Sequence, residues 1–301
     1  MSIIEEIKKL KEEKNAIILA HYYVPAEVQE IADFVGDSFA LAKKAMTTDA
    51  DIIVFAGVMF MGESAKILNP NKKVLLPDMS ADCPMAHMAY TDKVKRVREQ
   101  YDDVAVVCYI NSTAELKAVS DVCVTSSNAC RIVKGLPQKN IYFIPDQNLA
   151  TYVEQQVPEK HFIKNDGYCI VHHRVTEEQI LKAKAEHPNA LVLIHPESKK
   201  ELCDLADYVG STSGIIDFAT QSDSKEFLIG TELGVFYELQ KKNPDKTFIP
   251  VRNDQICENM KKITLEKVYE ALRDEKNEVT MPEEKSRLAL HALKNMMEMG
   301  K

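Results

Sequence analysis

The sequence predicts an α/β protein built from three pseudo-symmetric α/β/α units, each with a small parallel sheet, arranged around a central cavity. Three observations lead there. An apolar strand running into a polar residue occurs three times, as AIILAHYY, VAVVCYIN and ALVLIHPE. When His21, Tyr109 and His195 are aligned, 88 and 86 residues apart, the residues that follow fall into register. Strands also alternate with helical stretches, and parallel neighbours need a crossover of about a dozen residues or more, which such helices supply.

Each unit opens on that first strand. Twelve residues past the anchors stand Asp33, Asp121 and Asp207, and seventeen past them the hydroxyl residues Ser38, Ser126 and Thr212. They lie within DFVGDS, DVCVTS and DYVGST, each of which reads as a short strand ending in a turn. A third strand follows (DIIVFAG, NIYFIPD, EFLIGTE), then an amphipathic helix (FMGESAKILN, QNLATYVEQQ, ELGVFYELQKK), then a fourth strand (KKVLLPD, KHFIKND, KTFIPVR). Beyond the fourth strand each unit carries one cysteine: Cys83, Cys169 and Cys257, at 62, 60 and 62 residues from its anchor. The units are expected to span 1–86, 87–173 and 174–301. Two helical stretches, TLEKVYEALRD and EEKSRLALHALKNMMEM, close the chain and should cover the third unit or reach back to the first. Ligands of open parallel sheets collect at the carboxyl ends of the strands. The repeated polar residues are all expected there, and with those ends turned inward the loops of the three units make one shared cavity.

Composition narrows the function. A chain of 301 residues, 45% of them hydrophobic, has ample material for a buried core. A net charge of -8, with no basic stripe and only 7% aromatic residues, argues against a nucleic-acid groove and leaves a small molecule as the partner. The opening MSIIEEIKKLKEEK reads as a charged amphipathic helix without a cleavage site. Every apolar run is strand-length, short of the roughly 20 residues that cross a bilayer. No membrane span and a cytoplasmic location are therefore expected.

The chain has seven cysteines, an odd number spread far apart, which speaks against a disulfide scaffold in a reducing compartment. A single cysteine is ordinarily a buried small hydrophobe. Three at one repeat address, each in a loop (ADCPM, DGYCIV, NDQICEN), are different, because pseudo-symmetry brings their thiolates together. Cys108, Cys123, Cys130 and Cys203 have no such counterparts and read as core residues. There is no CxxC run. Three thiolates can hold a cubane cluster with one open iron, or a zinc ion with a fourth ligand or water. An open iron is a Lewis acid able to take a substrate carboxylate and hydroxyl and help expel water.

The segments ILAHYY, IADFVGDS, MSADCPM, YINSTAELKA, TSSNA, GYCIVH, IHPES, GSTSG, IGTELG and CENMKKI, in that order, resemble the quinolinate synthase family along nearly the whole chain. That resemblance implies a synthase of the transferase class joining iminoaspartate to dihydroxyacetone phosphate, with release of phosphate and two waters, to make quinolinate for NAD biosynthesis. It implies one 4Fe-4S cluster per chain held by Cys83, Cys169 and Cys257, and an L-aspartate oxidase or dehydrogenase as the source of iminoaspartate. By the same carry-over His21, Ser38, Tyr109, Ile110, Asn111, Ser126, His195, Pro196, Glu197 and Thr212 bind substrate. Condensation, isomerisation and dehydration need proton transfer near neutral pH. Tyr23, Tyr109, His195 and Glu197 are the catalytic candidates, with Glu197 suited to act as base while His195 grips a carboxylate or carbonyl. His172 reads as a residue behind the metal ligands and His173 as surface, while His87, His161, His187 and His291 read as solvated. Two departures from the family stand out. Ser198 occupies a position that is often cysteine, and Cys257 stands alone where some members have a CxxCxxC run, which implies no disulfide switch there.

Overall fold

The structure, a computed structural model, describes residues 2–300. Three four-stranded parallel sheets form the scaffold. The first contains β1 (Ala16–His21), β2 (Phe34–Gly36), β3 (Ile52–Ala56) and β4 (Lys73–Leu75). The second contains β5 (Val104–Tyr109), β6 (Val122–Val124), β7 (Asn140–Ile144) and β8 (His161–Lys164). The third contains β9 (Leu191–Ile194), β10 (Tyr208–Val209), β11 (Glu226–Gly230) and β12 (Thr247–Pro250). Strand order is the same in each: β2-β1-β3-β4, β6-β5-β7-β8 and β10-β9-β11-β12. Register repeats as well, with Leu19 opposite Phe34, Val107 opposite Val122 and Leu193 opposite Tyr208.

The central strands are apolar throughout, as sheets covered on both faces require. All five residues of β3 and all six of β5 are buried. The order reverses beside the first strand of each sheet, and the crevice outside the carboxyl ends at such a reversal is where open α/β sheets take ligands. Among the described residues no helix is long and apolar enough to cross a membrane.

The repeated aspartates do not stand at those carboxyl ends. Each precedes the short second strand and clips it to the first: Asp33 Oδ2 accepts the Ile18 N–H at 2.8 Å, Asp121 Oδ2 that of Val106 at 2.6 Å, and Asp207 Oδ2 that of Val192 at 2.7 Å. The backbone N–H of each aspartate returns a bond to the carbonyl of the same residue, at 2.9, 3.0 and 2.9 Å. A two- or three-residue strand has few ladder bonds of its own, so a side chain supplies the missing one.

A second threefold device is the lysine immediately before the fourth strand. Lys72 donates to the carbonyls of Thr48 and Ala50, Lys160 to those of Leu136 and Gln138, and Lys246 to those of Ala219, Thr220 and Ser222. These carbonyls end the helices Ser38–Thr47, Ala129–Gly135 and Thr212–Gln221, where orphan acceptors and the negative helix end favour a cation. At the end of the chain, the helix Leu265–Asp274 packs on Ile3–Glu13, and Glu283–Met299 lies across Ala114–Ala118, β6 and Met59–Leu68. The last two helices thus lace the first and second units together.

Candidate active site

The three cysteine loops are built alike. Two residues before each cysteine, a carbonyl accepts an N–H from the segment after the third strand: Met59 N to Ala81 O at 2.8 Å, Gln147 N to Gly167 O at 2.8 Å, and Leu233 N to Gln255 O at 2.9 Å. At 167 only glycine fits, since a Cβ would stand 2.6 Å from the Pro145 carbonyl oxygen and 2.8 Å from Met88 Cβ. Each cysteine then caps a short helix: Pro84–His87 after Cys83, Ile170–His173 after Cys169 and Glu258–Lys261 after Cys257. Backbone N–H groups of those helices turn onto the sulfurs, from Met85 and Ala86 onto Cys83, His172 onto Cys169, and Asn259 and Met260 onto Cys257.

All three cysteines line one cavity, together with side chains from each of the three units. Burial raises all three thiol pKa values, although the N–H groups oppose it. Thiols placed this way shed their protons when a cation takes their place, so the donor set suits a thiophilic metal group. Among the described residues, the one group of His, Cys and carboxylate ligand atoms all within 4.8 Å of one another is Cys169, His172 and Glu197. The thiol trio is spread more widely than that. A single tetrahedral zinc would hold its thiolates about 4 Å apart.

The same cavity carries a polar wall drawn from all three units. His21, Ser38, Tyr109, Asn111, Ser126, His195, Glu197, Thr212 and Tyr23 line the cavity. Ile110 and Pro196 are not among the lining residues, and Ile110 is buried with its N–H bonded to Val124 O at 2.9 Å. Ser38 and Thr212 are the first residues of helices, so the hydroxyl and the helix N–H groups face the same space. Asn111 Oδ1 is buried without a partner, an acceptor waiting for a donor.

Two of the anchor residues use the same local turn. His21 Nδ1 accepts the Tyr23 N–H at 3.1 Å and His195 Nδ1 that of Glu197 at 3.3 Å. Each neutral ring therefore carries its proton on Nε2. Burial lowers both pKa values to about 3, which leaves the rings uncharged at neutral pH. Glu197 is different. Burial raises its pKa, but His195 and His172 beside it, with hydrogen bonds from His172 and Tyr109, bring it down to about 2. Tyr109 and Tyr23 are pushed well above the ordinary phenol range, by burial first and then by the Glu197 charge. The Tyr23 hydroxyl lies 2.8 Å from Thr212 Oγ1 and 3.0 Å from Thr231 Oγ1.

His172 sits deeper in this network than its sequence suggested. Its ring stacks on His195 with centroids 4.6 Å apart, and its Nε2 lies 2.9 Å from Thr231 Oγ1. Its neighbour His173 is not a plain surface residue: it is half-buried and packs on Tyr168 at 4.2 Å. Of the other histidines, His87 pairs with Asp82, His187 with Glu226 and His161 with Asn140, whereas His291 is exposed. Cys108 and Cys123 are fully buried, while Cys130 and Cys203 are only half-buried. Asp37, Thr125, Glu232, Phe60 and three methionines, Met61, Met85 and Met260, also line the cavity and were missed in the sequence. Thr125 and Asp37 had a readable signal, since each directly precedes an anchored hydroxyl.

Comparison with known proteins agrees with this arrangement. The family described as quinolinate synthetase A protein matches residues 5–298. The chain is 52% identical over 297 residues to the quinolinate synthase of Alkaliphilus metalliredigens, covering 99% of this chain and 98% of that one. It is 54% identical over 295 residues to that of Caldicellulosiruptor bescii (98% and 97% covered) and 54% over 296 residues to that of Fusobacterium nucleatum (98% and 99% covered). With its three cysteine loops and polar wall inside a match of that extent, the chain belongs to the quinolinate synthetase A family.

Proposed function

We propose that this chain condenses iminoaspartate with dihydroxyacetone phosphate to give quinolinate, phosphate and two waters, in the route to NAD, as a synthase of the transferase class. The observation that carries the reading is that one cysteine from the same address in each unit lines a cavity also lined by Glu197, Tyr109, Tyr23 and two neutral histidines. Cys83, Cys169 and Cys257 would hold a 4Fe-4S cluster. When bound, that cluster supplies a Lewis acid at its open iron.

In this reading the chain's own residues bind, orient and move protons. The Nε2–H groups of His21 and His195 donate to substrate carboxylate or carbonyl oxygens, and neutral rings do so without trapping an anion as a salt. Ser38, Ser126 and Thr212, with the helix N–H groups beside Ser38 and Thr212, receive carboxylates and phosphate. Asn111 Oδ1 takes a donor from the substrate. Glu197, already ionised, accepts protons, and the charge of an arriving carboxylate raises its affinity for them. Tyr109 and Tyr23 keep their protons until they are needed at a leaving oxygen. Ile110 and Pro196 contribute through the chain segments that aim Tyr109 and Glu197. The units are taken to span 1–86, 87–173 and 174–301. The protein acts in the cytoplasm, with an L-aspartate oxidase or dehydrogenase supplying iminoaspartate.

The test is an anaerobic assay. Purified protein given both substrates should form quinolinate and contain about four irons and four sulfides per chain. An iron-free chain that makes quinolinate removes the cluster from the reading. A loaded chain that dehydrates some other hydroxy acid instead reassigns the substrate.

A further inference from the structure

We infer that Asp146 and Glu232 are positioning residues for the metal group, each fixing the main chain of one ligand cysteine by accepting that cysteine's own N–H. The inference rests on the reading that Cys83, Cys169 and Cys257 hold the cluster. Asp146 and Glu232 occupy one repeat address, two residues after the ends of β7 and β11, and both are fully buried. Asp146 Oδ2 accepts the Cys169 N–H at 3.2 Å, while its Oδ1 caps the helix Gln147–Gln156 through Asn148 N and Leu149 N at 2.8 and 2.9 Å. Glu232 Oε1 accepts the Cys257 N–H at 3.0 Å and Lys261 Nζ at 2.8 Å, and its Oε2 accepts the Gly234 N–H at 2.6 Å.

Capping alone does not require a buried carboxylate, because Ser, Thr or Asn caps a helix as well without burying charge. The second oxygen is what these residues add, and in both units it reaches across to the cysteine loop. The first unit lacks the device. Val58 occupies the equivalent position and its side chain has no acceptor, so the Cys83 N–H turns to Asp82 Oδ1 at 2.8 Å, a side chain 43% exposed and shared with His87. Two ligands are therefore tied to buried strand ends and the third to a surface residue, which makes Cys83 the least constrained of the three.

Asp146→Asn and Asp146→Ser both keep an oxygen for the helix cap. The asparagine turns an N–H₂ toward the Cys169 N–H, and serine is too short to reach it. Glu232→Gln leaves one carbonyl oxygen to serve two places. On anaerobically reconstituted full-length protein, iron and sulfide content, the electron paramagnetic resonance spectrum of the reduced state, and iron release to a ferrous chelator are measured. Each of the three variants should release iron roughly tenfold faster and show an altered spectrum, whereas Asp82→Asn should change the rate by less than about twofold. Wild-type release and spectrum in both Asp146 variants, with native circular dichroism, overturn the inference while leaving the cluster intact. A wild-type chain that takes up no iron and sulfide overturns the cluster reading and this inference with it.

Discussion

Nδ1 of His172 lies 2.7 Å from Oε2 of Glu197, and the two side chains are only 1% and 4% exposed. The same nitrogen is 3.2 Å from Cys169 Sγ, so one ring touches both a cavity thiol and the cavity's ionised carboxylate. Because Glu197 takes protons in the proposed reaction and is not one of the three sulfur donors, Glu197→Gln should cut quinolinate formation by about 10²–10⁴. Its iron and sulfide content should match wild type. Loss of iron in this variant would mean that Glu197 serves the metal group and not the substrate.

Cys83→Ala, Cys169→Ala and Cys257→Ala should each lose the brown chromophore and all turnover. Cys130→Ala and Cys203→Ala, half-buried and away from the cavity lining, should keep both. Visible absorbance after anaerobic purification reads the difference. A chromophore that survives in any of the first three would remove that cysteine from the ligand set.

Burial lowers the His21 and His195 pKa values in the folded chain to about 3, against 6.5 in the unfolded chain. Between those limits the unfolded chain binds more protons, so stability rises with pH across the window and is lost as pH falls from 6.5 toward 3. The metal-free protein should therefore melt several degrees lower at pH 5 than at pH 7.5, and His21→Gln should flatten that slope. Equal slopes for the variant and wild type would show that His21 is not held neutral by burial.

Lys246, buried and donating to three carbonyls, is a structural residue far from the chemistry in this reading. Lys246→Met keeps the length of the side chain and strips the donors, leaving helix-end carbonyls unpaired at a cost of about 1–3 kcal/mol. The thermal midpoint should fall by a few degrees while specific activity at 25 °C holds. An unchanged midpoint would mean that water or neighbouring groups replace the amine.

The repeat made much of this molecule legible. Strands one, three and four of each unit are apolar runs at a fixed spacing, and a cysteine at the same offset in three loops is hard to produce by chance. Strand-end residues such as His21, Tyr109 and His195 could be placed in a cavity because chain direction in a parallel sheet dictates which end they reach. The same repeat misled at Asp33, Asp121 and Asp207. Periodicity marks a shared job without saying whether the job is chemical, and a side chain that clips a two-residue strand repeats as faithfully as a ligand does. Helices of five or six residues, such as Ala26–Ile31 and Lys200–Asp204, are too short to show a 3.6-residue pattern. Asp146 and Glu232 were hidden for another reason, since at a strand end they read as ordinary caps and only coordinates reveal the second oxygen reaching another loop.

The three cysteines that share one repeat address stand at positions 83, 169 and 257. A growing polypeptide thus owns two of them for 88 residues of synthesis before it acquires the third. Under the cluster reading, the full ligand set exists only once all four strands of the third sheet have been made, and a fragment ending before that sheet holds two of the three thiols.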